Sequence, residues 1–291
     1  MSRNLNKFYY RDYFSGISFS LQIESNERKV LTDKDGICMI EKRNQCILEM
    51  GNQAYLNEAR KAFDSIKQNL KNLSITDFKL TVCYPGLVTG VGIGHEAKVE
   101  GEFKLGLHLD YTTGLPVVYG SSVKGILRSA FKVENLMKVL LAVAKEKSKK
   151  KEELEELKRI GQKLAKQPLE EWSAQIFGDD KKRDSRSAYN RDIFFDAIVC
   201  DVNHNGRFLA SDSITPHGSN PLLNPTPITF VHIASGSQIM FRFRLIKTGD
   251  LTVRDKETLF KAILMTFGAG AKTNVGYGRL EEQRNDRMDD V

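Results

Sequence analysis

Between Gln53 and Leu73 the apolar residues Ala54, Ala59, Ala62, Phe63, Ile66, Leu70 and Leu73 fall mainly three and four apart, which predicts an amphipathic helix opening after Gly51-Asn52. From Thr76 to Tyr84 the period drops to two, with Phe78, Leu80, Val82 and Tyr84 on one side, and Pro85-Gly86 ends the run. This is a core strand. Residues 87–116 are rich in glycine and hold no period, so they predict a long loop or an irregular hairpin, a kind of segment that often carries function. A helix then opens at Ser121 or Ser122, either of which can cap exposed backbone N–H groups, and runs through Leu127, Ala130 and Phe131.

The stretch Lys132 to Gln167 is highly charged: cations between Lys145 and Lys151 adjoin Glu152, Glu153, Glu155 and Glu156. Its leucines (Leu140, Leu154, Leu157, Leu164) predict exposed helices, and a solvated helical insertion is favoured over a dedicated RNA-binding arm. A polar, basic loop at 179–192 carries Lys181, Lys182, Arg183, Arg186, Tyr189 and Arg191; a basic flap with one stacking ring and a solvated loop are equal readings of it. A strand is expected at Ile193 to Val202, then a flexible, proline-ended stretch from His204 to Pro227. Strands at Ile228–Ile233 and Gln238–Ile246 follow. The last helix, Asp255 to Phe267, spaces Leu259, Ile263 and Phe267 by four and ends at Gly268, and a final strand fits Val275 to Leu280.

Without insertions the order is strand, helix, strand, strand, helix, strand, an α+β fold of the ferredoxin-like (RRM-like) kind found in many RNA-binding modules. Residues 1–75 form an N-terminal segment packed on the core; the core spans 76–282, with the charged helical insertion at 132–168, and 283–291 is a polar tail.

A chain of 291 residues can bury one large core or two modest ones. Its 44 basic against 37 acidic residues give a formal charge of +7, which suits a polyanionic partner or serves solubility alone. Four cysteines without a Cys-x-x-Cys pair argue against a zinc ribbon or a disulfide framework. With no signal-like or membrane-length apolar run, a cytoplasmic protein is expected.

Two glycine-rich, basic segments carry the candidate chemistry: 114–128, Gly-Leu-Pro-Val-Val-Tyr-Gly-Ser-Ser-Val-Lys-Gly-Ile-Leu-Arg, and 267–279, Phe-Gly-Ala-Gly-Ala-Lys-Thr-Asn-Val-Gly-Tyr-Gly-Arg. Glycines admit a phosphate or sugar close to the backbone. In the first segment Ser121 and Ser122 supply hydroxyls, and Lys124 and Arg128, four apart, leave one helix face near an anion-attracting N-terminus. In the second, Gly268 and Gly270 open the joint while Lys272, Asn274, Tyr277 and Arg279 offer charge, amide bonds and a stacking ring; the competing reading is a turn required only for packing. A P-loop is excluded, because Ala271 precedes Lys272 and Thr266 stands six before it.

His108 and Asp110, with His95 and Glu96 nearby in sequence, form the best catalytic candidate, but loop structure plus RNA or subunit contact is the favoured role and no catalytic residue is assigned. Asp201, His204, Asp212 and His217 match no zinc spacing, so no metal or cofactor is expected.

These segments resemble the RAMP proteins of CRISPR effector complexes, most narrowly the sixth Cmr subunit of type III-B complexes. The resemblance rests on 92–96, Gly114–Arg128, 176–178 (Ile-Phe-Gly), 195–197 (Phe-Asp-Ala), 212–217 (Asp-Ser-Ile-Thr-Pro-His), 224–228 and the C-terminal glycine element. Here Val118-Tyr119 stands where such proteins usually carry isoleucine-proline before the glycine. The resemblance implies a ferredoxin-like core capping a backbone filament, contact with the 3′ part of the CRISPR RNA and its target RNA, other Cmr subunits as partners, no membrane, and no catalysis of its own. The residues expected at the RNA are Ser121, Ser122, Lys124, Arg128, Gly268, Gly270, Lys272, Asn274, Tyr277, Arg279, Arg183 and His108. Two rivals stand beside it: a RAMP endoribonuclease using His108, and a scaffold that touches only protein.

Overall fold

A computed structural model describes residues 4–24, 27–32, 34–69, 74–90, 99, 101–147, 151–178, 187, 190–215 and 227–283. The chain opens with helix α1 (Leu5–Lys7), a π-helical turn (Phe8–Asp12), the strands β1 (Phe19–Glu24) and β2 (Glu27–Thr32), and helices α2 (Lys34–Met50) and α3 (Gln53–Asn69). Strand β3 (Thr76–Val82) precedes four short strands, β4 (Gly86–Leu87), β5 (Lys104–Leu105), β6 (His108–Leu109) and β7 (Pro116–Val118). Helices α4 (Gly120–Ala130), α5 (Leu136–Lys147), α6 (Lys151–Leu164) and α7 (Leu169–Phe177) follow. The remainder is β8 (Ile193–Phe194), β9 (Ala197–Asp201), β10 (Leu209–Ile214), β11 (Ile228–Ala234), β12 (Gln238–Arg244), α8 (Val253–Phe267) and β13 (Leu280–Glu281).

The central sheet runs β13-β3-β12-β9 in antiparallel pairs and continues through β7 to β6. With α4 joining β3 to β9 and α8 joining β12 to β13, the spatial order is fourth, first, third, second, which is the ferredoxin-like split βαβ arrangement expected above. Alternation makes this sheet one-sided: Phe78, Leu80 and Val82 of β3 and Ile239, Phe241 and Phe243 of β12 are buried, with Phe78 stacked 5.8 Å from Phe241 and 5.6 Å from Phe243. The buried stripes of α4 (Val123, Leu127) and α8 (Leu259, Phe260, Ile263, Leu264) join the same core. A capping box between Thr252 and Asp255 starts α8, and Gly268 ends it. Among the described residues no helix is long and apolar enough to cross a membrane.

A second sheet, β10-β11-β4 with β5 parallel to β11, lies beside the first. Within 204–227, expected to be flexible, β10 pairs with β11 from Leu209↔Ile233 to Ile214↔Ile228; residues 216–226 lie outside the described set. The N-terminal segment is fastened by backbone contacts to Phe103, whose carbonyl accepts from the Tyr9 hydroxyl at 3.0 Å and whose N–H donates to the Tyr13 hydroxyl at 2.9 Å.

The charged insertion is not an array of exposed helices. Leu136, Leu140, Leu157, Ile160 and Leu164 are buried, and α5 and α6 pack on α8 and on each other. Lys163 meets Asp255 at 2.6 Å and Arg254 meets Glu156 at 3.1 Å, so ion pairs seam the rim of an apolar contact. Trp172 of α7 is buried and donates its Nε1–H to the Leu164 carbonyl at 3.1 Å. One further ion pair is fully enclosed: Lys256 Nζ reaches Asp192 Oδ2 at 2.5 Å and Thr248 Oγ1 at 2.7 Å. That pair holds the start of β8 on α8.

The strand expected at 193–202 is interrupted at Phe195-Asp196, and the one expected at 275–280 is mostly turn. Thr273–Val275 form a single 3-10 turn, and Gly276 and Gly278 take positive φ before β13 begins at Leu280.

Candidate nucleic-acid interface

In this topology α4 departs from, and α8 returns to, the same end of the sheet, so the two glycine-rich joints become neighbours. A strip of backbone at 86–89 ties them. Gly278 N donates to Gly86 O at 2.8 Å and Ala271 N to Val88 O at 2.7 Å, on the side of the C-terminal joint. Thr89 N donates to Gly106 O at 2.9 Å and accepts on its hydroxyl the His108 N–H at 2.6 Å, on the side of the first joint. The His108 ring then lies on Tyr119, centroids 4.7 Å apart and 34° between planes, immediately before α4.

At the C-terminal joint the glycines make close backbone contacts inside the protein. A Cβ at Gly270 would overlap the Val88 carbonyl, one at Gly278 the Ala269 carbonyl, and one at Gly268 would sit 2.6 Å from the Gly278 carbonyl. Lys272 adopts a left-handed backbone, φ 59°, and is half-buried, while Asn274 and Arg279 are exposed. Tyr277, expected to offer a stacking ring, is instead 5% exposed. It packs on Phe230 and His232 at 5.9 and 5.7 Å, and its hydroxyl donates to Asp212. Burial, the bond to Asp212 and that carboxylate's charge all hold the phenol protonated. The exposed ring here belongs to Tyr84, 78% accessible, which the period-two run placed in the core. The strand ends at Val82, and Arg279 reaches within 3.5 Å of the Tyr84 carbonyl.

At the first joint the helix begins at Gly120, one or two residues before the expected Ser121 or Ser122. Tyr119 occupies the N-cap position without a side-chain cap, and the Gly120 N–H is taken at 2.7 Å by Asp196 Oδ1, from the break between β8 and β9. Neither Ser121 nor Ser122 caps the helix; both are exposed on its first turn. Gly120 is required sterically, since a Cβ would overlap the Phe194 carbonyl, whereas Gly125 has nothing within 4 Å. Lys124 and Arg128 are half-buried, and Arg128 Nη2 donates to the Gly178 carbonyl at 2.9 Å, joining α4 to the end of α7.

Asp110 accepts from the Thr113 N–H at 2.6 Å and hydroxyl at 2.7 Å, which closes the β6–β7 turn. His108 is half-buried, and burial lowers its pKa, so the imidazole is neutral near pH 7. Of the basic loop, Lys181, Lys182, Arg183, Arg186 and Tyr189 lie outside the described residues, as do residues 91–98 with His95 and Glu96, and His217, whereas Arg191 is exposed. Among the described residues no group of three His, Cys, Asp or Glu side chains is placed to hold a metal ion.

Sequence reasoning passed over Tyr84, Tyr119 and Asp196, which the structure places at the two joints. For Asp196 a signal existed, the Phe195-Asp-Ala197 element, and for Tyr119 it was the replacement of the usual proline. A cavity of about 1630 Å³ lies elsewhere, between α5, α6 and α8, and both acidic (Glu152, Glu153, Glu257) and basic (Lys158, Arg159, Lys261) side chains line it.

A family model described as the RAMP superfamily matches residues 79–281. No curated protein matches the sequence. Among solved structures, the chain is similar to one in the cryo-EM structure of the Type III-B Cmr-beta bound to cognate target RNA, with 19% identity, a TM-score of 0.52, and coverage of 87% of this chain and 76% of that one. It is also similar to the crystal structure of Cmr6 from Pyrococcus furiosus, with 22% identity, a TM-score of 0.39, and coverage of 74% of this chain and 99% of that one. The first of these likenesses carries the shared fold.

Proposed function

Because the chain belongs to the RAMP superfamily, we propose that it is a non-catalytic, RNA-binding structural subunit of a type III-B CRISPR ribonucleoprotein. It caps the backbone filament and contacts the 3′ part of the CRISPR RNA and its target duplex. Its partners are CRISPR RNA, target RNA and other Cmr subunits, in the cytoplasm. The structural relative whose fold it shares is a Cmr-beta structure with bound target RNA, which supports this reading.

The observation that carries the proposal is the union of the two joints at one end of the sheet, through the 86–89 strip, with Ser121, Ser122, Asn274, Arg279 and Tyr84 exposed beside it. Hydroxyl, amide, guanidinium and aromatic groups together are what a protein needs to hold a sugar-phosphate strand without reading its sequence. Guide pairing then supplies the specificity. A structural role also fits the placement of His108 against Tyr119 and of Asp110 in a turn, since neither is arranged with the other as an acid–base pair.

The test is CRISPR RNA binding by the chain together with neighbouring Cmr subunits over a salt series. Lys124→Ala and Lys272→Ala are expected to weaken binding evenly across RNA sequences and to reduce the salt slope by about 1 each. Unchanged binding by both variants removes these residues from the interface. The same reactions are expected to leave the RNA intact with or without divalent metal, and His108-dependent cleavage would establish the enzyme reading instead.

A further inference from the structure

Two ring side chains from separate parts of the sequence, His108 and Tyr119, meet at the start of α4, and Tyr10 is near enough to Tyr119 to interact with it electrostatically. Tyr119 has one ring face against His108, yet 40% of the residue remains exposed. Tyr10, from the N-terminal π-helical turn, is 49% exposed and stands edge-on to the buried Tyr9, centroids 5.1 Å apart and planes at 90°. Its hydroxyl is held protonated by partial burial and by the neighbouring Tyr119. Tyr119 and Tyr10 thus each rest on a neighbouring ring while staying partly exposed.

The polar surroundings define what such a surface takes. Asp196 takes the Gly120 N–H with its carboxylate and the Arg242 guanidinium on its carbonyl at 3.3 Å, so the first helical N–H is already satisfied within the protein. His108, neutral near pH 7, brings no charge of its own to the ring pair. An uncharged, flat, polarisable group is therefore favoured over an anion, and in RNA that group is the base. Access to a ring face requires a base unstacked from its neighbours, which a continuous duplex does not offer.

We propose that Tyr119, seated on His108 and flanked by Tyr10, is a stacking station for one unpaired nucleobase of a bound RNA strand. This rests on the RNA-binding reading above and specifies one subsite within it. Immobilising Tyr119 in advance lowers the entropic cost of stacking, and because every base has a π face the station tolerates any sequence.

The experiment uses the full chain assembled with its neighbouring subunits and CRISPR RNAs carrying 2-aminopurine at successive positions. One position is expected to show quenched emission with the unaltered chain. Tyr119→Phe keeps both quenching and affinity; Tyr119→Ala loses the quenching and weakens binding on the order of tenfold, with the salt slope unchanged. Tyr10→Ala, on a different element, diminishes the same signal and guards against a folding defect at the β7–α4 joint. If Tyr119→Ala and Tyr10→Ala both retain quenching and affinity while Lys272→Ala weakens binding, the stacking station is wrong and the RNA-binding reading stands. Absence of RNA binding by the unaltered assembly overturns both.

Discussion

The two glycine-rich segments have similar compositions and uses that diverge at one position. In 268–278 the glycines let one loop backbone lie directly on another: Gly268 on Gly278, Gly270 on Val88 and Gly278 on Ala269. In 114–128, Gly114 plays that part against Tyr55 and Leu5 and Gly120 against Phe194, but Gly125 faces open space on an exposed turn of α4. One segment spends its missing side chains on its own packing, and the other keeps part of a helix face bare. A glycine-rich motif therefore locates a functional surface only once the neighbour of each glycine is known.

The strongest way to break this comparison is Gly278→Ala. The residue has φ 76° and a Cβ would overlap a backbone carbonyl, so the variant is expected to lose about 3 kcal/mol or more in denaturant unfolding. A loss below about 1 kcal/mol would show that the joint relaxes freely. Next, Tyr277→Phe leaves the Asp212 carboxylate without its hydroxyl donor and is expected to cost about 1–3 kcal/mol, with RNA affinity retained because the ring is buried. Lost affinity at full stability would mean that the buried ring turns outward in the complex.

His232, packed on Tyr277, adds a pH dependence. Burial lowers its pKa against the opposing effects of its bond to the Ile233 carbonyl and of Asp212. The unfolded chain thus takes up the proton first. This contribution is complete well above pH 6.5 and is lost as pH falls through that value, at no more than about 1.4 kcal/mol per pH unit. Unfolding midpoints of the chain and of His232→Gln between pH 8 and 5.5 test the sign, since the variant's profile is expected to be flatter.

The smallest effect is expected at Gly125→Ala, a gain of about 0.5–1 kcal/mol from helix propensity. Reduced RNA affinity in that stabilised variant would show that the strand passes against this bare turn.

The ferredoxin-like core was legible because its elements carry strong local periods: alternation in β3 and β12, spacing four in α8, and the stop at Gly268. Where a short-range pattern is shaped by distant partners, reading failed. β10 reads Leu-Ala-Ser-Asp-Ser-Ile, with no hydrophobic alternation, and becomes a strand through pairing with β11. Tyr84 extends the alternation of β3 in sequence, yet the turn at Pro85 puts its ring in solvent. The charges of α6 masked a buried Leu157, Ile160 and Leu164 stripe. At the interface, residue types pointed to the correct segments, but burial of Tyr277 and the Asp196 contact to Gly120 depend on residues 65 and 76 positions away in sequence.

Trp172 is the chain's single tryptophan, and it sits between the charged insertion and the core with its indole N–H bonded to Leu164. Intrinsic fluorescence excited near 295 nm thus reports one event, the docking of α6 and α7. A red shift during unfolding marks release of that helical layer, and a titration with RNA that leaves the emission maximum in place distinguishes ligand binding at the far joints from any loosening of the insertion.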